Sequence, residues 1–167
     1  MHTVTFKNVY VQARSTVVGP LEKEGPLGSL FDKSYADAYC GESSFEKAER
    51  VLLADAVDLT LRKAGKGVSD IDLLVGGDLI NQLTSSHYFA KDLEVPFLGM
   101  YGACSTSSLV IGNGSVWVEH ELAKQVLAFT SSHVATAERQ FRFPNEYGIQ
   151  KKETTTSTVT GAGAVVL

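Results

Sequence analysis

The segment that follows Cys104, STSSLVIGNGSVWVEHELAK (105–124), limits the fold more than any other part of the sequence. It opens with hydroxyl residues suited to a helix N-cap and continues with small or apolar residues on every side. A helix that is apolar all round is buried all round. Gly112, Gly114 and Ser115 would weaken an exposed helix, whereas in a packed layer small residues let backbones approach closely. The segment therefore predicts a helix between two layers, with a sheet on one face and further chain or a tight partner on the other.

Strand-like and helix-like segments alternate along the chain. Ser43 and Glu46 form a capping box that begins a helix, Gly65 suits its C-cap, and residues 79–93 also have a helical pattern. Residues 14–42 are predicted to be a long surface loop or lid, and residues 137–157 a polar loop. Five segments are predicted to be strands: 4–13, 72–77, 95–101, 125–132 and 158–167. This alternation predicts an α/β fold with a mixed, five-stranded sheet.

Composition and charge exclude several classes of protein. The 167 residues are 44% hydrophobic, enough for a core, and the net charge of −4 argues against nucleic-acid binding. No apolar run reaches about 18 residues, so no transmembrane helix is predicted. Two cysteines, Cys40 and Cys104, are too few for a disulfide scaffold or a four-ligand zinc site, and a reducing cytosol is expected. The final GAGAVVL (161–167) has the pattern of a buried strand, so we expect residues 1–167 to be part of a larger fold.

Cys104 lies between a predicted strand and the predicted buried helix. A thiol at a helix N-terminus feels the positive end of the helix dipole, which favours the reactive thiolate. The backbone N–H groups from Ser105 to Ser107, Thr106 included, could hold an anion or an oxyanion. This pattern suits acyl transfer through a thioester, capture of a carboxylate without chemistry, or a small cysteine that fills a gap in the core.

A nucleophilic cysteine needs a base, and the sequence offers no complete catalytic set. His133 follows a strand, where a hydrogen-bonded structural histidine is the favoured interpretation, and His120 is expected to be solvated. Asp78 follows the strand LLVGG and begins the next helix, so it suits both an N-cap and a ligand contact at a strand end.

Three segments carry a resemblance to a known family: GDLINQ (77–82), YGACSTSS (101–108) and VTGAGAVVL (159–167). They resemble the N-terminal half of thiolase-type condensing proteins and, within that superfamily, the stage V sporulation protein AD family. The resemblance implies a five-layer αβαβα sandwich made of two similar halves. In that arrangement residues 1–167 form the N-terminal half-domain, and the absent C-terminal half supplies the histidine of the site.

The resemblance implies a non-catalytic protein that binds dipicolinic acid and helps its uptake into the developing spore. Cys104 and Asp78 match the pocket residues of the family, and the helix start adds Ser105 and Thr106 as ligand-binding candidates. No cofactor or resident metal is expected, although calcium could travel with the ligand as its counter-ion. Expected partners are a second copy of the chain and the membrane proteins of the same operon, at the cytoplasmic face of the spore inner membrane.

Two alternatives of other classes stay open. One is an acyl-CoA-dependent condensing or acyltransferase enzyme in which Cys104 is the nucleophile. The other is a structural subunit whose half-fold assembles only with a partner. A thioester trapped on Cys104 would favour the enzyme.

Overall fold

The computed structural model describes residues 3–80, 83–141 and 157–167. Strands and helices alternate through most of the chain, as the sequence predicts, and short 3₁₀ turns precede several of them. In chain order the elements are β1 (Ala13–Val18), α1 (Pro20–Glu24), β2 (Lys33–Ser34), α2 (Phe45–Ala64), β3 (Leu73–Asp78), α3 (Thr84–Ala90), β4 (Phe97–Gly99), α4 (Thr106–Glu119), β5 (Val126–Ser132), α5 (Val134–Phe141) and β6 (Gly161–Val166).

The strands form one mixed sheet in the order β2-β1-β6-β5-β3-β4. β3 runs parallel to β4 and β5, whereas β6 is antiparallel to both of its neighbours, β1 and β5. The mixed α/β architecture is confirmed, but the sheet has six strands and not the five predicted. The additional strand, β2, has two residues and pairs only along the edge of β1, so it leaves no hydrophobic pattern to find.

Helix α2 covers one face of the sheet, against β1, β6 and β5. The Ser44 side chain accepts a hydrogen bond from the Lys47 N–H, and Gly65 ends the helix with a left-handed φ of 66°. The N-cap is therefore Ser44, one residue after the predicted Ser43. Leu52 and Leu53 are fully buried in the core on this face.

Two predictions for the N-terminal region are wrong. Residues 3–12 form no strand, and β1 begins only at Ala13, because Tyr10 and Val11 lie exposed and do not enter the core. The segment 14–42, predicted to be a loop, contains β1, α1 and β2. Strand β1 was missed because its sequence, ARSTVV, places the polar Ser15 on the same buried side as Val17, against α2, so apolar and polar residues do not alternate.

Helix α4 packs against β5 and β3 on the opposite face of the sheet. Val110 and Gly114 are buried there, and a Cβ atom on Gly114 would lie only 3.0 Å from Val126 Cγ1, so glycine permits this close approach. The other side of α4 is apolar but exposed, at Leu109, Ile111 and Val116. The sheet thus covers one face of α4, and no described element covers the second. Among the described helices, none is long and apolar enough to cross a membrane.

Candidate functional site

A cavity of about 730 Å³ opens beside the N-terminal turn of α4. It lies against the end of β5 and the neighbouring parts of β6 and β1, with α5 at its side. Most lining residues are apolar or carry hydroxyl groups, Glu138 adds a carboxyl group, and none of those in the described chain is Lys, Arg or His. The lining that concerns the chemistry comprises Cys104, Thr106, Ser107, Thr130, Ser131 and Glu138.

Cys104 lines this cavity from an exposed position in the 3₁₀ turn that precedes α4. Thr106 fixes that turn: its Oγ1 donates to the Ala103 carbonyl oxygen at 2.8 Å and accepts from the Gly102 N–H at 3.1 Å. Ala103 has a φ of 47°, a left-handed conformation that costs a non-glycine residue energy and needs such support. The turn is therefore rigidly built, and it presents the thiol at the positive end of the α4 dipole.

The close packing of this turn on the sheet requires Gly77 at the end of β3. A Cβ atom there would lie 2.0 Å from the Met100 carbonyl oxygen and 2.9 Å from Thr106 Cγ2. Any larger residue would displace the segment that carries Cys104. Gly77 is a positioning residue that sequence reasoning saw only as part of a strand.

Asp78 lies apart from the cavity, buried between β3 and α3. Its carboxylate accepts three hydrogen bonds, from the Ile80 N–H at 3.0 Å, the Ser86 N–H at 2.8 Å and the Ser86 hydroxyl at 2.7 Å. Asp78 is therefore not the N-cap residue of α3, which is Leu83, although its carboxylate accepts from the Ser86 N–H in the first turn of that helix. The neighbouring Leu79 lines the cavity, and Asp78 does not.

Of the four predicted ligand-binding residues, the structure brings Cys104 and Thr106 together at the cavity. Ser105 is exposed and outside the cavity lining, and its hydroxyl donates to the Gly102 carbonyl oxygen at 2.7 Å. The fourth residue, Asp78, also lies outside the cavity lining. Asn81 and Gln82 of the quoted GDLINQ segment lie outside the described residues.

His133 is a structural histidine, as the sequence favours. It is fully buried, its Nε2 lies 2.8 Å from the Ala38 carbonyl oxygen, and its Nδ1 accepts from the Ala135 N–H at 3.1 Å. These contacts fix the tautomer with the proton on Nε2. Burial lowers the pKa of His133, so the ring stays neutral. His120, expected to be solvated, is exposed.

Glu49 is a buried titratable residue that the sequence analysis did not single out. Glu49 of α2 is fully buried; its Oε1 lies 2.9 Å from the Ser131 hydroxyl, and its Oε2 lies 3.1 Å from Thr136 Oγ1. Burial raises the pKa of Glu49 to about 7. Its spacing in the sequence could have revealed this burial. Glu49 falls four residues after Phe45 and three before Leu52, within the apolar face of the helix.

By its fold the chain is similar to a class of solved proteins, those with the thiolase-like fold. A solved variant of OleA from Xanthomonas campestris matches with a TM-score of 0.64 and 12% identity, over 96% of this chain and 56% of that one. The 3-oxoacyl-[acyl-carrier-protein] synthase III of Aquifex aeolicus matches with a TM-score of 0.58 and 15% identity, over 93% of this chain and 52% of that one. At these identities the likeness establishes the fold.

Within that class, the family model for stage V sporulation protein AD matches residues 1–167. The stage V sporulation protein AD of Bacillus subtilis (strain 168) is 54% identical over 159 residues, which are 95% of this chain and 47% of that protein. The chain belongs to the stage V sporulation protein AD family. It spans about half the length of this curated relative.

Proposed function

We propose that the chain is the ligand-binding half of a non-catalytic sporulation protein that binds dipicolinic acid and helps its uptake into the developing spore. The observation that carries the proposal is the placement of Cys104 and Thr106 at the start of α4, on the wall of a hydroxyl-rich cavity. The cavity volume of about 730 Å³ lies within the usual range for small-molecule sites, about 300–1,000 Å³. Family membership supplies the sporulation context.

The cavity suits a flat, polar ligand such as dipicolinate, a pyridine ring with two carboxylates. Hydroxyl groups of Ser107 and Thr130 can donate to carboxylate oxygens, and the α4 dipole favours negative charge near its first turn. Apolar side chains such as Phe31 and Val159 can cover the ring faces.

Charge supports calcium as the counter-ion that travels with the ligand. The cavity lining in the described chain includes the carboxyl group of Glu138 and no basic side chain. A bare dianion would receive no ion pair from these residues, whereas a calcium chelate is neutral and calcium accepts further oxygen ligands. Calcium is here part of the cargo.

The alternative function is acyl transfer with Cys104 as the nucleophile. The observation that favours it is the exposure of Cys104 at a helix start within the cavity. No histidine of the described residues lines the cavity with it. Incubation with acyl-CoA followed by intact-protein mass spectrometry separates the functions, because an acyl adduct on Cys104 would show the enzyme.

For partners, we propose a second copy of the chain and the membrane proteins encoded with it, at the cytoplasmic face of the spore inner membrane. Strand β4 lies at the edge of the sheet, with β3 on one side and no described strand on the other. The exposed apolar side of α4 is a second surface suited to association.

A calorimetric titration of the chain with dipicolinate, with and without calcium, tests the binding function. We expect saturable heat from the native chain. The Cys104→Ala variant should bind dipicolinate about tenfold more weakly or worse, a change in binding free energy of about 1.4 kcal/mol. The matched control is Ser108→Ala, because Ser108 is exposed on the same helix turn but outside the cavity lining. Equal binding by native protein and Cys104→Ala, with both folded by circular dichroism, would contradict the assignment.

A further inference from the structure

The floor of the cavity is the sheet itself, on the side that faces α4. Thr16 of β1, Gly163 of β6 and Thr130 of β5 lie opposite one another in the strand register, and all three line the cavity. Residues directly opposite each other in antiparallel strands point to the same face of a sheet. Two threonine side chains therefore stand on either side of a glycine that has none, and the row forms a trough, the Gly163 trough.

Nothing in the described chain requires glycine at position 163. The φ of Gly163 lies outside the left-handed region. A Cβ atom at this position would lie 3.7 Å from the Ser15 carbonyl oxygen and 4.0 Å from Thr16 Cγ2, and both are ordinary van der Waals contacts. The register of β6 with β1 and β5 continues without interruption past Gly163, so the glycine does not mark a bulge.

Gly161, two residues earlier in β6, shows the contrast. A Cβ atom on Gly161 would lie 2.9 Å from the Val17 carbonyl oxygen and 3.3 Å from Val18 Cγ1, so packing of the chain itself requires glycine there. Gly161 is buried, whereas Gly163 is partly exposed. The two glycines of one strand therefore have different causes, and the cause of Gly163 lies outside the packing of the chain.

A glycine within a strand weakens the strand, because it has more conformational freedom to lose and no side chain to pack. Where no bulge or bend explains it, such a glycine marks a close approach by a ligand or by another backbone. Strand β6 is already paired along both edges, with β1 and β5, so its backbone has no free hydrogen bonds for a further strand. The open space over Gly163 belongs to the cavity and therefore suits a ligand.

We propose that Gly163 is a specificity-determining residue of the cavity, over which the flat ring of the ligand lies face-on between Thr16 and Thr130. The proposal rests on the proposed binding function, since it names the residue of that same site that selects the ligand. Neighbouring strands lie about 4.8 Å apart, so β1 and β5 are about 10 Å apart across β6, which leaves room for a single ring between their side chains. The Thr130 hydroxyl can donate to a carboxylate on the edge of the ring.

The ligand class that fits the Gly163 trough is a planar ring with carboxylates on its edge. A planar ring reaches van der Waals distance of the strand backbone, about 3.5–4 Å, only where no Cβ atom stands beneath it. A saturated ring with the same substituents is puckered, so its axial hydrogens hold it away from the floor. The trough therefore separates flat dicarboxylates from puckered ones of equal charge.

The test uses three ligands and three proteins. Dipicolinate is compared with isophthalate and cis-cyclohexane-1,3-dicarboxylate, a pair with the same two carboxylates on a flat and on a puckered ring. The native chain is compared with Gly163→Ala and with the control Gly67→Ala. Gly67 is outside the cavity lining and has an extended backbone, and an added Cβ would meet its nearest atoms at 3.6 Å and 3.8 Å. Calorimetry with and without calcium gives the affinities, NMR follows the Gly163 amide signal, and thermal unfolding monitors the fold.

We expect Gly163→Ala to melt at or above the native temperature and to bind dipicolinate about tenfold more weakly or worse, because the added methyl group occupies the floor. Gly67→Ala should bind dipicolinate within about twofold of the native chain. The native chain should bind isophthalate about tenfold or more tightly than the cyclohexane dicarboxylate, and Gly163→Ala should reduce this ratio to about twofold or less. The Gly163 amide signal of the native chain should shift with the flat ligands.

Equal dipicolinate affinities of the native chain and Gly163→Ala would overturn the role of Gly163, as would equal native affinities for the flat and the puckered ring. A native chain that binds dipicolinate while its Gly163 amide signal stays fixed would also reject the trough but keep the proposed function. Failure of dipicolinate alone to bind would overturn the proposed function, and the isophthalate pair would still decide the trough. A folded native chain that binds none of the three ligands rejects both.

Discussion

Asp78 is the residue at which a ligand-binding role and a structural role can be separated by experiment. Its carboxylate is fully buried and already accepts three hydrogen bonds, two of them from Ser86 in the first turn of α3. Hydrogen bonds to a buried carboxylate anchor α3 to the end of β3. A mutation that removes binding at this position can therefore act through folding alone.

We predict that Asp78→Asn lowers the free energy of unfolding by about 1–3 kcal/mol, because the amide group leaves buried donors without a matching acceptor. Urea denaturation measures the change. Asp92→Asn is the control and should stay close to zero, since the Asp92 side chain is 75% exposed. Native-like stability in Asp78→Asn together with lost dipicolinate binding would instead place Asp78 in contact with the ligand.

Cys104, Thr106 and Asp78 show what the sequence could and could not predict about the site. Cys104 and Thr106 were predicted because the start of a helix is encoded locally, in adjacent hydroxyl and small residues. The sequence correctly predicted Asp78 at the end of a strand. It did not predict on which face of the sheet the Asp78 side chain lies. Side chains alternate along β3, so Asp78 shares the α2 side with Leu74, whereas Gly77 faces Thr106 and the cysteine turn.

At the scale of elements, the predictions succeeded where a local signal marks both ends. Helix α2 was found because a hydroxyl N-cap and a left-handed Gly65 bound it, and β5 because it is a continuous apolar run. Strand β1 was missed because it pairs with β6, which comes from the far end of the chain, and β2 because its two residues pair only with β1. Long-range pairing of this kind has no signature in a window of ten residues.

Helix α4 permits a prediction in which two glycines of one helix respond in opposite directions. Gly112 faces open space, so Gly112→Ala should raise the free energy of unfolding by about 0.5–1 kcal/mol through the helix propensity of alanine. Gly114 faces Val126 and Leu167, 3.0 Å and 3.1 Å from an added Cβ, so Gly114→Ala should lower it by about 1–3 kcal/mol. Thermal and urea unfolding measure both variants, and an equal effect of the two would contradict the packing of α4 on β5.

At the scale of the whole molecule, the uncovered side of α4 is an exposed apolar surface suited to association. Leu109 and Val116 are seven residues apart on one helix face, at 41% and 40% exposure, with Gly112 open between them. Contiguous exposed apolar surface on a folded chain favours burial against another surface, at about 25 cal/mol per Å².

We therefore predict that the chain self-associates through this face at micromolar concentration, which sedimentation velocity measures against its 18.0 kDa monomer mass. The double variant Leu109→Glu with Val116→Glu should shift the chain to the monomer, because burial of two carboxylates opposes contact. Leu21→Glu is the matched control, since Leu21 is 60% exposed on α1 and away from α4. A native chain that sediments as a monomer would reject association altogether. If the double variant is still a dimer, the contact does not lie on α4, and the open edge of β4 is the other surface proposed for pairing.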